Sequence, residues 1–126
     1  MIADITRTFI NNWLAKLKKA WIEKEFAQIE ELFKKCAFYQ ESPYIEIARN
    51  AKEIKSFWNE IKIQKNPEIA FEILCVEKDT CIINFNFTCD IDGHKHSSNG
   101  IYYIEFDGDG YCTKFAQWSE NWEQGF

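Results

Sequence analysis

The chain has 126 residues, a length typical of one domain, and 46 % of them are apolar, with 11 Phe, 5 Trp and 5 Tyr. That is enough apolar surface to build a core without disulfide staples, and it excludes a disordered chain. The net charge of −5 is unevenly divided: residues 1–66 carry 12 basic and 9 acidic side chains, residues 67–126 only 3 basic and 11 acidic. An acidic second half excludes a phosphate-binding sheet, so no nucleic-acid partner is expected.

The first elements read as helices. Ile10, Trp13, Leu14, Leu17 and Trp21 recur at three- and four-residue spacing, one face of a long helix that Asp4 or Thr6 can cap. Phe26, Ile29 and Phe33 continue the spacing after a break near 23–25, giving a second, shorter helix. Cys36–Ser42 reads as a brief strand that Pro43 stops. Asn50 with Glu53 three residues on is a capping-box pattern, and Ile54, Phe57, Trp58 and Ile61 give a third amphipathic helix.

After Asn66-Pro67 the period changes to two. Ile69–Val76 is an almost continuous apolar run, as expected of a central strand. Lys78-Asp79 makes a turn. Cys81, Ile83, Phe85, Phe87 and Cys89 then alternate with polar or surface positions, and Asp92-Gly93 marks a hairpin. Asn99–Phe106 and Tyr111–Glu120 are the last two strands, joined through Asp107-Gly108-Asp109-Gly110. The order α-α-β-α-β-β-β-β, with no repeat and no linker, predicts a single α+β domain over residues 1–126.

Several segments resemble the SnoaL-like members of the nuclear transport factor 2-like superfamily: 38–44 (FYQESPY), 51–61 with its Phe57-Trp58 pair, the hairpin 104–115, and the closing Phe115-Ala116-Gln117-Trp118. The resemblance covers nearly the whole chain. It implies a cone-shaped fold in which three N-terminal helices pack on a strongly curved antiparallel sheet and the open end admits a small, largely apolar ligand. It also implies pairing into a homodimer through the outer sheet faces. The superfamily spans cyclases, ketosteroid isomerases, dehydratases, epoxide hydrolases and proteins without known activity, so the fold alone does not select a reaction.

Proton-transfer chemistry needs a carboxylate in an apolar pocket beside a hydrogen-bond donor. The candidates are Glu41, Glu72 and Glu105, with Tyr39 or Tyr102 as donors. Glu72 opposes Phe71 and Ile73 and so lies outward. By the resemblance Ile104 and Phe106 point inward, which puts Tyr102 inside and Glu105 outside. Glu41 shares a side with Tyr39 and is the remaining catalytic candidate. The inward face of the strand through Phe85 carries no acid, and the only arginines, Arg7 and Arg49, do not fit an epoxide hydrolase's arginine between two aspartates.

Other chemistry finds little support. His94 and His96 lack a third ligand at a recognisable spacing, so neither a metal nor another cofactor is expected. Counting twelve from Asp107 reaches Trp118, where a calcium loop needs Glu. Cys36, Cys75, Cys81, Cys89 and Cys112 form an odd set without a CxxC pair and read as buried free thiols. With no apolar run of about 20 residues and no signal-peptide pattern, the reading is cytoplasmic, with no membrane partner.

The expected ligand-binding residues are Trp13, Phe33, Tyr39, Trp58, Phe85, Tyr102, Gln117 and Trp118, converging on one aromatic-lined cavity. Three functions stay open: a binder of a small apolar or amphipathic molecule, an isomerase, cyclase or dehydratase using a pocket carboxylate, and a dimerisation domain whose pocket is filled by its own side chains.

Overall fold

A computed structural model describes residues 5–123. Helix α1 (Arg7–Ile22) starts at Thr6, whose hydroxyl accepts the Phe9 N–H at 3.0 Å. It buries Ile10, Trp13, Leu14, Leu17, Ala20 and Trp21 along one stripe. Lys24, at φ 57°, turns the chain out of the helix, and α2 (Phe26–Leu32) follows at once. Strand β1 (Phe38–Gln40) is only three residues long, shorter than the expected Cys36–Ser42, and ends before Pro43 is reached. Helix α3 (Ala51–Phe57) begins with the expected cap: Asn50 Oδ1 accepts the Glu53 N–H at 2.9 Å. The Glu53 carboxylate reaches back to the Arg49 N–H at 3.0 Å. The last turns of that amphipathic segment tighten into a 3-10 helix (Trp58–Ile63). No helix among the described residues is long and apolar enough to cross a membrane.

Four long strands complete the chain: β2 (Lys65–Glu77), β3 (Thr80–Ile91), β4 (His94–Phe106) and β5 (Cys112–Glu123). They form one sheet in the order β1-β5-β4-β3-β2. All neighbours are antiparallel except β1, which pairs in parallel with β5, Tyr39 opposite Phe115. Three helices on a largely antiparallel sheet is the expected architecture.

Two details differ from the sequence reading. The apolar strand around Ile69–Val76 lies at the sheet edge, not in its centre. A register shift between Ile73 and Cys75 breaks its alternation, so Leu74 and Cys75 are both exposed while Ile73 and Val76 pack on the core. The apolar run therefore reflects a bulge, and Cys75 departs from the buried thiols of Cys36, Cys81, Cys89 and Cys112. The fourth strand also begins earlier than expected, at His94, because the Asp92-Gly93 turn (φ 52° and 80°) folds it directly onto β3.

Strand parity sets the core. Cys81, Ile83, Phe85, Phe87 and Cys89 face the helices, as do Tyr102, Ile104 and Phe106, while Glu72 is exposed and Glu105 accepts the Tyr103 hydroxyl at 2.7 Å on the outer side. Edge-to-face aromatic contacts join the layers: Trp13 meets Phe33 at 5.7 Å and Phe106 at 5.5 Å, and Trp21 meets Trp58 at 5.0 Å.

Candidate functional site

At one end of the helical layer the sheet and helices part to leave a cavity of about 720 Å³. Trp21 from α1, Phe57 from α3, and Trp58 and Ile61 from the 3-10 helix form one wall. Phe85 and Phe87 of β3 and Tyr102 of β4 form the other, with Phe85 and Tyr102 stacked at 4.3 Å. Polar groups gather along the sheet: Ser98 of β4 and Gln117, Ser119 and Asn121 of β5. Gln117 Nε2 donates to Ser119 Oγ at 3.1 Å, and Gln64 Oε1 accepts the Trp21 indole N–H at 2.8 Å. A second hollow of about 460 Å³ shares Glu60, Gln64, Phe87, Ser98 and Asn121 with the first, so the two form one groove.

The loop leaving β1 carries Glu41 to the cavity wall. The loop is held at its base by a bridge between Tyr39 and Ala48, with backbone hydrogen bonds of 3.0 and 2.9 Å. The fully buried Tyr39 donates its hydroxyl to Glu41 Oε2 at 2.6 Å. Burial pushes the Glu41 carboxyl up from 4.5 to about 7; the Tyr39 hydrogen bond opposes this and the nearby Glu60 carboxylate adds to it. Burial and the Glu41 charge also raise Tyr39 and Tyr102, so both phenols stay neutral in water near neutral pH. A carboxyl half-protonated at neutrality can give or take a proton, or meet a cation when ionised.

Of the residues expected in the cavity, Trp58, Phe85, Tyr102, Gln117 and Glu41 line it together. Tyr39 lies behind Glu41 and holds it. Phe33 is enclosed in the core between Trp13, Tyr39, Trp58 and Phe115. Trp13 borders a separate surface groove with Phe9, Lys16 and Tyr111. Trp118 borders the cavity, but parity puts its ring on the opposite face, because Gln117 pairs inward with Tyr102 while Trp118 pairs outward with Ile101. Residues not foreseen include Trp21, Phe57, Glu60, Gln64, Ser98, Ser119 and Asn121. Period-two counting inward from Tyr102 and Gln117 reaches Ser98, Ser119 and Asn121; no local signal marks the others as cavity residues.

No sequence-family model matches the chain, and no curated protein matches it. Solved structures do match. A Δ5-3-ketosteroid isomerase from Mycobacterium sp. superposes with a TM-score of 0.73 at 9 % identity, covering 90 % of this chain and 98 % of that one. A computationally designed 17-OHP binder gives 0.76 at 10 % identity, covering 90 % and 96 %. A protein of ketosteroid isomerase-like fold from Catenulispora acidiphila, solved in complex with trimethylamine, gives 0.69 at 12 % identity, covering 84 % and 83 %. The chain shares the nuclear transport factor 2-like fold of these structures.

Proposed function

We propose that the cavity binds a small, largely apolar molecule whose polar end meets Glu41. The carrying observation is a 720 Å³ space walled by aromatic rings and holding one hydrogen-bonded carboxyl, a make-up that suits small-molecule recognition. That volume weighs against a pocket filled by its own side chains. The solved relatives in fold named above include a ketosteroid isomerase and a designed 17-OHP binder, which supports the same reading by analogy. Native mass spectrometry of protein purified from its source tests it. The expected result is an adduct that denaturation releases. Only the bare 15.0 kDa chain, together with no change in melting temperature across a panel of apolar ligands, would count against it.

A second reading rests on the carboxyl poised near 7: an isomerase, cyclase or dehydratase in which Glu41 moves a proton and Tyr102 supplies a hydrogen bond. It requires that deuterium exchange next to a substrate carbonyl be lost in Glu41→Gln. A homodimer through the outer sheet face, where Ile82, Ile101 and Trp118 lie, and a cytoplasmic setting for the free thiols belong to the same proposal.

A further inference from the structure

We infer that the molecule this pocket takes is a cationic amine on an alkyl or aryl body, the ammonium lying between the Glu41 and Glu60 carboxylates and the aromatic walls. The inference rests on the binding reading above and names the ligand's charge.

The charged groups of the cavity carry it. Among the described residues lining the 720 Å³ space, Glu41 and Glu60 are the carboxylic acids and no lysine, arginine or histidine is present; His96 lines only the adjoining hollow. The two carboxylates already repel one another, since Glu60 raises the Glu41 pKa. A carboxylate or phosphate entering would add a third like charge with nothing to offset it; an ammonium removes the repulsion that exists. Trp21, Phe57, Trp58, Phe85, Phe87 and Tyr102 present ring surface to the same space. Such rings attract an ammonium lying within about 6 Å of a ring centre and accept an apolar body equally well. The strands forming the far wall come from the acidic half of the chain, whose field draws cations toward the mouth.

A separate observation points to a ligand. Trp58 is 5 % exposed, forms part of the wall, and its indole N–H has no hydrogen-bond partner among the described residues. A buried donor of this kind is costly to leave unpaired. A hydroxyl or carbonyl oxygen on the amine's body would pair it.

The groups facing Glu41 are Tyr39 from β1, Tyr102 from β4 and Glu60 from the 3-10 helix, none of them cationic. An arriving ammonium therefore finds Glu41 partly protonated near neutrality and displaces that proton. With the carboxyl titrating at about 7, the amine's affinity rises about tenfold from pH 6 to pH 8, following the ionised fraction.

A matched series tests this: 3-phenylpropylamine, 3-phenylpropanol and 3-phenylpropanoate, titrated by calorimetry into the full chain. The indole N–H resonances of Trp21 and Trp58 report whether binding occurs in this cavity. The expected result is amine binding at least tenfold tighter than alcohol, and carboxylate weakest. Amine binding at pH 7 also releases a fraction of a proton, read from buffers of different ionisation heat. Glu41→Gln abolishes the proton release and brings the amine's affinity down to that of the alcohol. Glu60→Gln, at an exposed position, weakens the amine several-fold and serves if the first variant does not fold. Alcohol or carboxylate binding as tightly as the amine overturns the charge assignment but leaves the pocket reading standing. Failure of all three to bind at millimolar concentration overturns both.

Discussion

Glu41 shows how burial and hydrogen bonding divide one residue's behaviour. Its carboxyl titrates at about 7 in the fold against 4.5 ordinarily, so between those values the folded chain keeps a proton that the unfolded chain releases. The stability linked to this group is full below about pH 4.5, falls as pH rises toward 7, and is lost above it. By the linkage relation the loss is about 3 kcal/mol. Glu41→Gln keeps an acceptor for the Tyr39 hydroxyl and removes the charge. Relative to the parent chain, the variant is expected to gain about 1–3 kcal/mol at pH 8 and little at pH 4.5 in urea unfolding. A difference between the two chains that does not change with pH would remove Glu41 from this role. The side that Glu41 shares with Tyr39 was readable in the sequence; its burial was not, because the cavity wall it joins is assembled from segments distant in the chain, among them Trp58, Phe85 and Tyr102.

At the scale of elements, the β4–β5 pair shapes the cavity floor. Gly100 pairs with Phe85 of β3 on one side and Ser119 of β5 on the other, with the β5 backbone drawn close against it. A Cβ built there collides with the Trp118 carbonyl oxygen and comes within 2.7 Å of Ser119 Cα, both backbone atoms that cannot swing aside. Gly100→Ala is therefore expected to cost about 1–3 kcal/mol, the range for overpacking, seen as a lowered thermal midpoint. An unchanged midpoint would mean that the two strands separate there without penalty. The other inter-element joint is the Asp107 turn, where one carboxylate oxygen accepts the N–H groups of Asp109 and Tyr111, each at 2.9 Å. The Asp107 carboxylate is thereby used in closing the hairpin, a structural role.

The whole molecule separates two surfaces by strand parity. The inner face holds the cavity; the outer face exposes Trp118 at 49 % and Trp122 at 57 %, with Ile101 and Ile82 between polar Asn84, Asn86 and Asn99. Asn99 and Asn86 hydrogen-bond across this face. Exposed indoles beside aliphatic groups are the make-up of an interface core. Sedimentation equilibrium at micromolar concentration is expected to give twice the 15.0 kDa chain mass, and Trp118→Glu to return it to the single mass. A parent chain that sediments singly would refute the pairing. The split of charge along the chain has a spatial counterpart, since the lysine-rich half forms the helices and the acidic half the sheet.

The amino-acid order by itself determined most of the elements and faces, but not the edge place and bulge of β2 nor the outward ring of Trp118. Helix spacing and strand alternation are local periodicities of 3.6 and 2, so the cap at Asn50, the inward run through Phe85 and the outward Glu72 could be read without the fold, while the first helix's cap was narrowed only to Asp4 or Thr6. Tertiary structure alone decided which buried aromatics close the core and which open onto the cavity. Trp13 and Trp21 lie on the same helical stripe, about 12 Å apart along the axis at 1.5 Å per residue. One reaches the packed interior beside Phe33 and Phe106, the other the cavity beside Trp58 and Phe87. No local pattern separates them, because the difference lies in where the curved sheet leaves the helix. Curvature arises from pairings between residues far apart in the chain.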